Sequence, residues 1–230
     1  MLTATLWGAV AAFSLVLGAW LALVRPWGDR VVGIVLGFGA GALISAVSYE
    51  LAEEGIEAAG QLPVAAGLAA GALCYFAADR PLERKPDSGG LPLALGAFLD
   101  GLPEQAVLGI GLASGEPVSV ALVVAIFMSN LPEAIGATAE MRQAGRRDGW
   151  LIRLWVGVAL VCMLSTIVGY LVADALSTEL RAAINGFAAG ALLVMLCDSM
   201  IPESRQKAGL PAGLVLVLGF AVAAGLSNVS

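Results

Sequence analysis

The chain contains no histidine, and only 13% of its 230 residues are charged. Without imidazole the usual general base of acyl transfer is missing, and no Gly-x-Ser-x-Gly motif compensates for it. Carboxylates alone, with no argued reaction pocket, do not make a hydrolase, so no enzymatic activity is expected. Cysteine is scarce: Cys74, Cys162 and Cys197 share no Cys-x-x-Cys or other ligand spacing, which predicts free, packed thiols. The shortage of charge excludes an ordinary soluble domain, which needs far more polar surface to cover its core. The net charge of −6 is carried by short loops and helix interiors. No broad acidic or basic face results, so nucleic acid is not an expected partner.

What the chain has instead is apolar length. Hydrophobic residues make up 59% of it, with 29 glycines and a mean hydropathy of +0.90. Runs of about 20 apolar residues suffice to cross a hydrocarbon layer about 30 Å thick. Eight can be read, at about 4–24, 31–51, 63–79, 91–113, 117–139, 150–173, 182–201 and 210–228. The expected fold is therefore all-α: an integral membrane protein forming one transmembrane domain over 1–230 and embedded in a lipid bilayer. The abundant glycine fits, because small residues let membrane helices approach closely. The first run is long and has no basic residue before it, which predicts a membrane helix rather than a cleaved signal peptide. One linker, 80–90, is charged and rich in Pro and Gly; it separates three helices (about 4–79) from five.

Basic residues set the expected orientation. Arg25 and Arg30 follow helix 1; Arg80, Arg84 and Lys85 follow helix 3; Arg142, Arg146, Arg147 and Arg153 follow helix 5; Arg205 and Lys207 follow helix 7. The three alternate loops hold only Arg181. Positively charged loops face the cytoplasm. This predicts a multi-pass protein of the cell (plasma or inner) membrane with both termini outside.

The sequence also contains a repeat. Gly37, Phe38, Ala40, Gly41, Ala42, Leu43 and Glu54 of helix 2 match Gly186, Phe187, Ala189, Gly190, Ala191, Leu192 and Glu203 of helix 7. The loop charges make these helices run in opposite directions, and likewise helices 4 and 5. The expected arrangement is 3+2+3: helices 1–3 (about 4–79) and 6–8 (about 150–228) as inverted copies around helices 4–5 (about 91–139). Inverted repeats are typical of secondary transporters, whose sites lie near the midplane.

Helices 4 and 5 carry the chemistry. Asp-Gly-Leu-Pro-Glu-Gln at 100–105 and Ser-Asn-Leu-Pro-Glu-Ala at 129–134 each set Leu-Pro-Glu into an apolar run. Asp100 and Glu104 lie one turn apart on one face. Pro103 frees the carbonyl of Leu99, and in lipid a freed carbonyl must find a partner. Ser129, Asn130 and Glu133 share a face around Pro132. Three carboxylates with neutral oxygens beside them suit divalent cations such as Mg²⁺, Mn²⁺, Ca²⁺ or partly hydrated Zn²⁺. Intramembrane carboxylates are costly and usually functional. Asp198 and Glu203, near the inner end of helix 7, read either as an exit site or as an interfacial pair neutralised by Arg205 and Lys207. Glu50, Glu53, Glu54 and Glu57, at the outer end of helix 2, read either as a cation-gathering entrance or as a solvated helix end. Ser165 and Thr166 are expected to make helix-to-helix hydrogen bonds.

Taken together, the paired Pro-Glu motifs, the 3+2+3 layout, the outside termini and the Phe-x-Ala-Gly-Ala and Ile-Pro-Glu-Ser stretches resemble the ZIP (Zrt/Irt-like) metal transporters over essentially the whole chain. That family carries His-Asn-x-Pro-Glu-Gly on helix 4 and a similar motif on helix 5. The resemblance implies transport of a divalent cation into the cytoplasm, zinc foremost, with iron, manganese or cadmium as relatives, and it implies a homodimer; Mg²⁺ stays open from the oxygen-rich ligand set alone. By position Asp100, Glu104 and Glu133 would form the main site, Asn130 would serve a second metal, and Ser129 holds the first polar position of helix 5. Asp100 stands where the family has histidine, Gly101 where it has asparagine, and Gln105 and Ala134 where it has glycine. A carboxylate in place of imidazole shifts preference towards harder cations. These departures keep a second reading open: a non-transporting ZIP-like protein acting as metal sensor or regulatory partner.

Overall fold

The computed structural model describes residues 1–83, 91–113 and 119–227, apart from the side chains of 79–83, 91–97, 99, 100 and 121. Every element among the described residues is helical. Eight long helices follow one another: α1 (Leu2–Val24), α2 (Asp29–Ala59), α3 (Gln61–Glu83), α4 (Leu91–Ala113), α5 (Val120–Gln143), α6 (Asp148–Val172), α7 (Thr178–Ala208) and α8 (Pro211–Ser227). Among the described residues, six of the helices are long and apolar enough to cross a membrane. The last, α8, is equally greasy but has 17 residues, about 25 Å of rise. Of the expected linker, 80–83 continue α3, and 84–90 lie outside the described residues.

Local chemistry explains the boundaries. The hydroxyls of Ser119 and Ser177 accept from the amides of Leu122 and Leu180, at 3.1 and 3.3 Å, and so cap the starts of α5 and α7. Gly60, Gly145 and Gly209 close α2, α5 and α7 with φ of 85°, 86° and 71°, values a side chain resists. Helices α2 and α7 continue past their apolar runs, and each passes through a widened turn. The π-helical segments are Val47–Glu53 and Leu196–Met200. With Gly37 aligned on Gly186, their first residues correspond, and so do Gly60 and Gly209.

Packing follows the same correspondence. The most extensive helix contacts pair α3 with α7 and α8 with α2, then α4 with α6 and α1 with α5. The first two pairs cross on glycine: a Cβ on Gly190 would overlap the Leu68 carbonyl, and one on Gly41 the Leu216 carbonyl. From the opposite sides, Gly71 meets Phe187 and Gly219 meets Phe38 in the same way. Such backbone-to-backbone approach needs hydrogen in place of a side chain. Burial then ranks the helices. In α2 and α5, 67% of the apolar window is buried, against 17% in α3. Leu36, Leu43, Ile126, Leu192 and Met195 fill one core cluster; Leu15, Met141, Leu151 and Trp155 fill another between α1, α5 and α6. Outside them, Val156, Leu160, Leu164, Val168 and Leu171 make an exposed apolar stripe along α6, the face a lipid-embedded helix presents.

Candidate metal centre

Helices α4 and α5 pack against each other through the interior, and both continue through their prolines. Pro103 and Pro132 each remove one backbone donor without ending the helix. At Pro132 the carbonyl left over is that of Met128. Gly39 of α2 lies directly on it: a Cβ there would stand 2.5 Å from the Met128 oxygen. The backbone of α2 thus covers the break in α5.

Most of the polar side chains described for the two motifs are inside the protein. Glu104, Ser129 and Asn130 are each 1% exposed, while Glu133, one turn along α5, is half-buried. Ser129 Oγ donates to the Ile126 carbonyl at 3.0 Å. Both ends of the Asn130 carboxamide are buried without a hydrogen-bond partner. An unsatisfied buried amide costs about 1–3 kcal/mol, so Asn130 is a group poised for a ligand or water. Asp100 occupies the turn of α4 before Glu104, but its side chain lies outside those described. Among the described residues no three His, Cys, Asp or Glu side chains gather as a metal-binding group. Gly101 is seated against α6, where a Cβ would come within 2.9 Å of Cys162 Sγ; it is a packing position.

Towards one end of the fold, Glu203 Oε1 accepts from Lys207 Nζ at 2.5 Å, one turn apart. Glu140 of α5 lies within electrostatic reach of both charges. Arg205 instead donates to the Gly209 carbonyl at 2.9 Å, and Asp198 is exposed on the widened turn. Towards the other end, above Glu104 and Ser129, the interior is apolar: Val107, Leu108, Leu122 and Ile126 are all buried. Beyond them opens a cavity of about 490 Å³ that Glu50, Glu54 and Asn185 help to line.

The expected helix-to-helix bonds are present. Ser165 Oγ donates to the Leu102 carbonyl at 2.9 Å, and Thr166 Oγ1 donates to Gln105 Oε1. Sequence reasoning did not single out Gln105 as fully buried, nor Thr138 and Asn185 as buried polar groups. Asn185 carries the signal that would have flagged it, being one uncharged polar residue inside an apolar helix.

No protein-family model matches the chain. A protein of Arabidopsis thaliana named "Putative zinc transporter" is 27% identical to it over 189 residues, covering 76% of this chain. The chain spans 30% of that protein's length. With six helices among the described residues long and apolar enough to cross a membrane, the chain is a multi-pass membrane protein.

Proposed function

We propose that the chain transports a divalent metal cation, zinc foremost, into the cytoplasm through a site on α4 and α5. The observation that carries this reading is the strip of buried polar groups on two adjacent interior helices: Glu104, Ser129 and Asn130, the last with an unpartnered carboxamide. Burying such groups in a membrane core is unfavourable unless something charged or wet visits them. Asp100, Glu104 and Glu133 supply the carboxylates, and Asn130 and Ser129 the neutral oxygens. Glu203, with Lys207 as its counter-ion and Asp198 nearby in sequence, stands on the release side.

The reading includes eight crossings in a 3+2+3 inverted repeat. It is supported by the corresponding positions of the widened turns, the closing glycines and the glycine crossings in α2–α3 and α7–α8. Helices that exchange partners in pairs can rock about a fixed midplane site, which is the usual way such repeats alternate access. The zinc assignment rests on the Arabidopsis relative.

The test is metal influx into proteoliposomes carrying the full chain, with Zn²⁺, Mn²⁺, Fe²⁺, Co²⁺, Cd²⁺ and Mg²⁺ in competition. Glu104→Gln and Glu133→Gln each remove a charged ligand, about 3 kcal/mol or more, so influx should fall about 100-fold. If the parent moves none of these ions, transport is refuted. Binding without flux would leave the sensor or regulatory reading.

A further inference from the structure

Glu50 and Glu54 lie at the end of α2 that is far from Glu203. Helices α2 and α7 run antiparallel: Gly55 packs beside Ala182, and Gly33 beside Ala208. Glu50 lies within the π-helical segment Val47–Glu53 and Glu54 directly follows it, and both side chains line the cavity of about 490 Å³. A divalent ion with six waters needs roughly 200 Å³ at about 30 Å³ per water, so it fits without shedding its shell. Asn185 of α7 lines the same cavity and is 9% exposed, and its carboxamide oxygen has no hydrogen-bond partner. A buried carbonyl oxygen with no donor is a neutral, hard ligand left open.

We infer that Glu54 and Asn185, with Glu50 beside them, form a loading site for a hydrated divalent cation, separated from the Pro-Glu motifs by the buried Leu108 and Leu122. This rests on the transport reading above. Glu50 Oε1 accepts from Ser227 Oγ at 2.5 Å, which anchors the carboxylate at the rim. Two features oppose a cation. Arg181 also lines the cavity, and α5 and α7 begin at it, bringing the positive ends of two helices. The Arg181 guanidinium is bound to the Ala173 carbonyl and lies 4.0 Å from Asp174, so its charge is partly answered outside the cavity. An anion would face two glutamates with one arginine. A cation faces two carboxylates and an amide oxygen, held loosely enough to move on. Leu108 lies one turn from Glu104 on α4, so a cation released inward needs only the apolar layer to part.

Zn²⁺ uptake into proteoliposomes, measured against Zn²⁺ concentration, separates loading from translocation. Glu54→Gln and Asn185→Leu should each raise KM about tenfold, with kcat changing less, whereas Glu133→Gln removes uptake. Asn185→Asp is nearly isosteric and adds a charged ligand, so it should lower KM by about tenfold even if the leucine variant folds poorly. If KM stays within about twofold of the parent in both Glu54→Gln and Asn185→Asp, the loading site is refuted. If the parent moves no metal, the transport reading fails, and an equilibrium Zn²⁺ titration of the purified chain then decides. A binding step lost in Glu54→Gln but kept in Glu133→Gln upholds the site. Identical titrations in the two variants and the parent overturn it.

Discussion

Alanine at Gly41 or Gly190 would place a methyl group inside the carbonyl of Leu216 or Leu68 on the helix that crosses it. The next atoms are also backbone: the Phe220 amide nitrogen at 2.7 Å and that of Ala72 at 3.0 Å. None can rotate away, so the helix pair must separate, loosening contacts along the crossing. Overpacking of this kind costs about 1–3 kcal/mol. Alanine returns up to about 1 kcal/mol of helix propensity, so a net loss of about 2 kcal/mol is expected from the upper part of that range. Gly157 and Gly213 supply the control, because a Cβ at either meets nothing within 4 Å. There alanine should be neutral or stabilising by up to about 1 kcal/mol. The assay is the unfolding midpoint of the four single variants in mixed detergent and SDS micelles. If Gly41→Ala unfolds no earlier than Gly157→Ala, the close crossing is wrong. If only one of Gly41 and Gly190 is sensitive, the correspondence between the two halves fails.

Thr166→Val keeps the shape of the side chain but leaves the buried Gln105 carboxamide without its partner. It should cost about 1–3 kcal/mol in the same unfolding assay, and Thr166→Ser should recover most of it. Lys207→Gln breaks an ion pair whose side chains are 20% and 32% exposed, so its effect on stability should stay below about 1 kcal/mol. Cys162 is fully buried whereas Cys74 and Cys197 are exposed. In a Cys74→Ser/Cys197→Ser background, a maleimide should label the protein only after denaturation, and labelling of the folded chain would contradict the packing around α6.

Segment positions were legible because transfer of a side chain from water to an apolar phase is nearly a local property, summed along the run. The apolar runs of helices 4 and 6 coincide closely with α4 and α6. Those of helices 2 and 7 fall short of α2 and α7, since the charged turns Glu53–Glu57 and Glu203–Lys207 continue the helix past the apolar part. The paired prolines were legible too, inside runs already read as single helices; what was not legible is that the Met128 carbonyl freed by Pro132 is covered by a glycine on another helix. The widened turns left no composition signal. A π turn is a small distortion whose cost is met by tertiary contacts, and its residues, such as Val-Ser-Tyr-Glu, read as ordinary helix.

For this chain the sequence alone determined the all-helical membrane class, the two Pro-Glu motifs, and the correspondence of α2 with α7 through Gly37–Leu43 and Gly186–Leu192. Each depends on residue type and spacing along one helix. Only the tertiary structure decided which polar groups are buried together. It placed Glu104, Ser129 and Asn130 inside and Asp198 on the surface, turned Gly101 towards Cys162, and set Asn185 beside Glu50 and Glu54 around one cavity. Those outcomes depend on how helices cross, and crossing is set by contacts between residues far apart in the chain, here glycine against a partner's carbonyl.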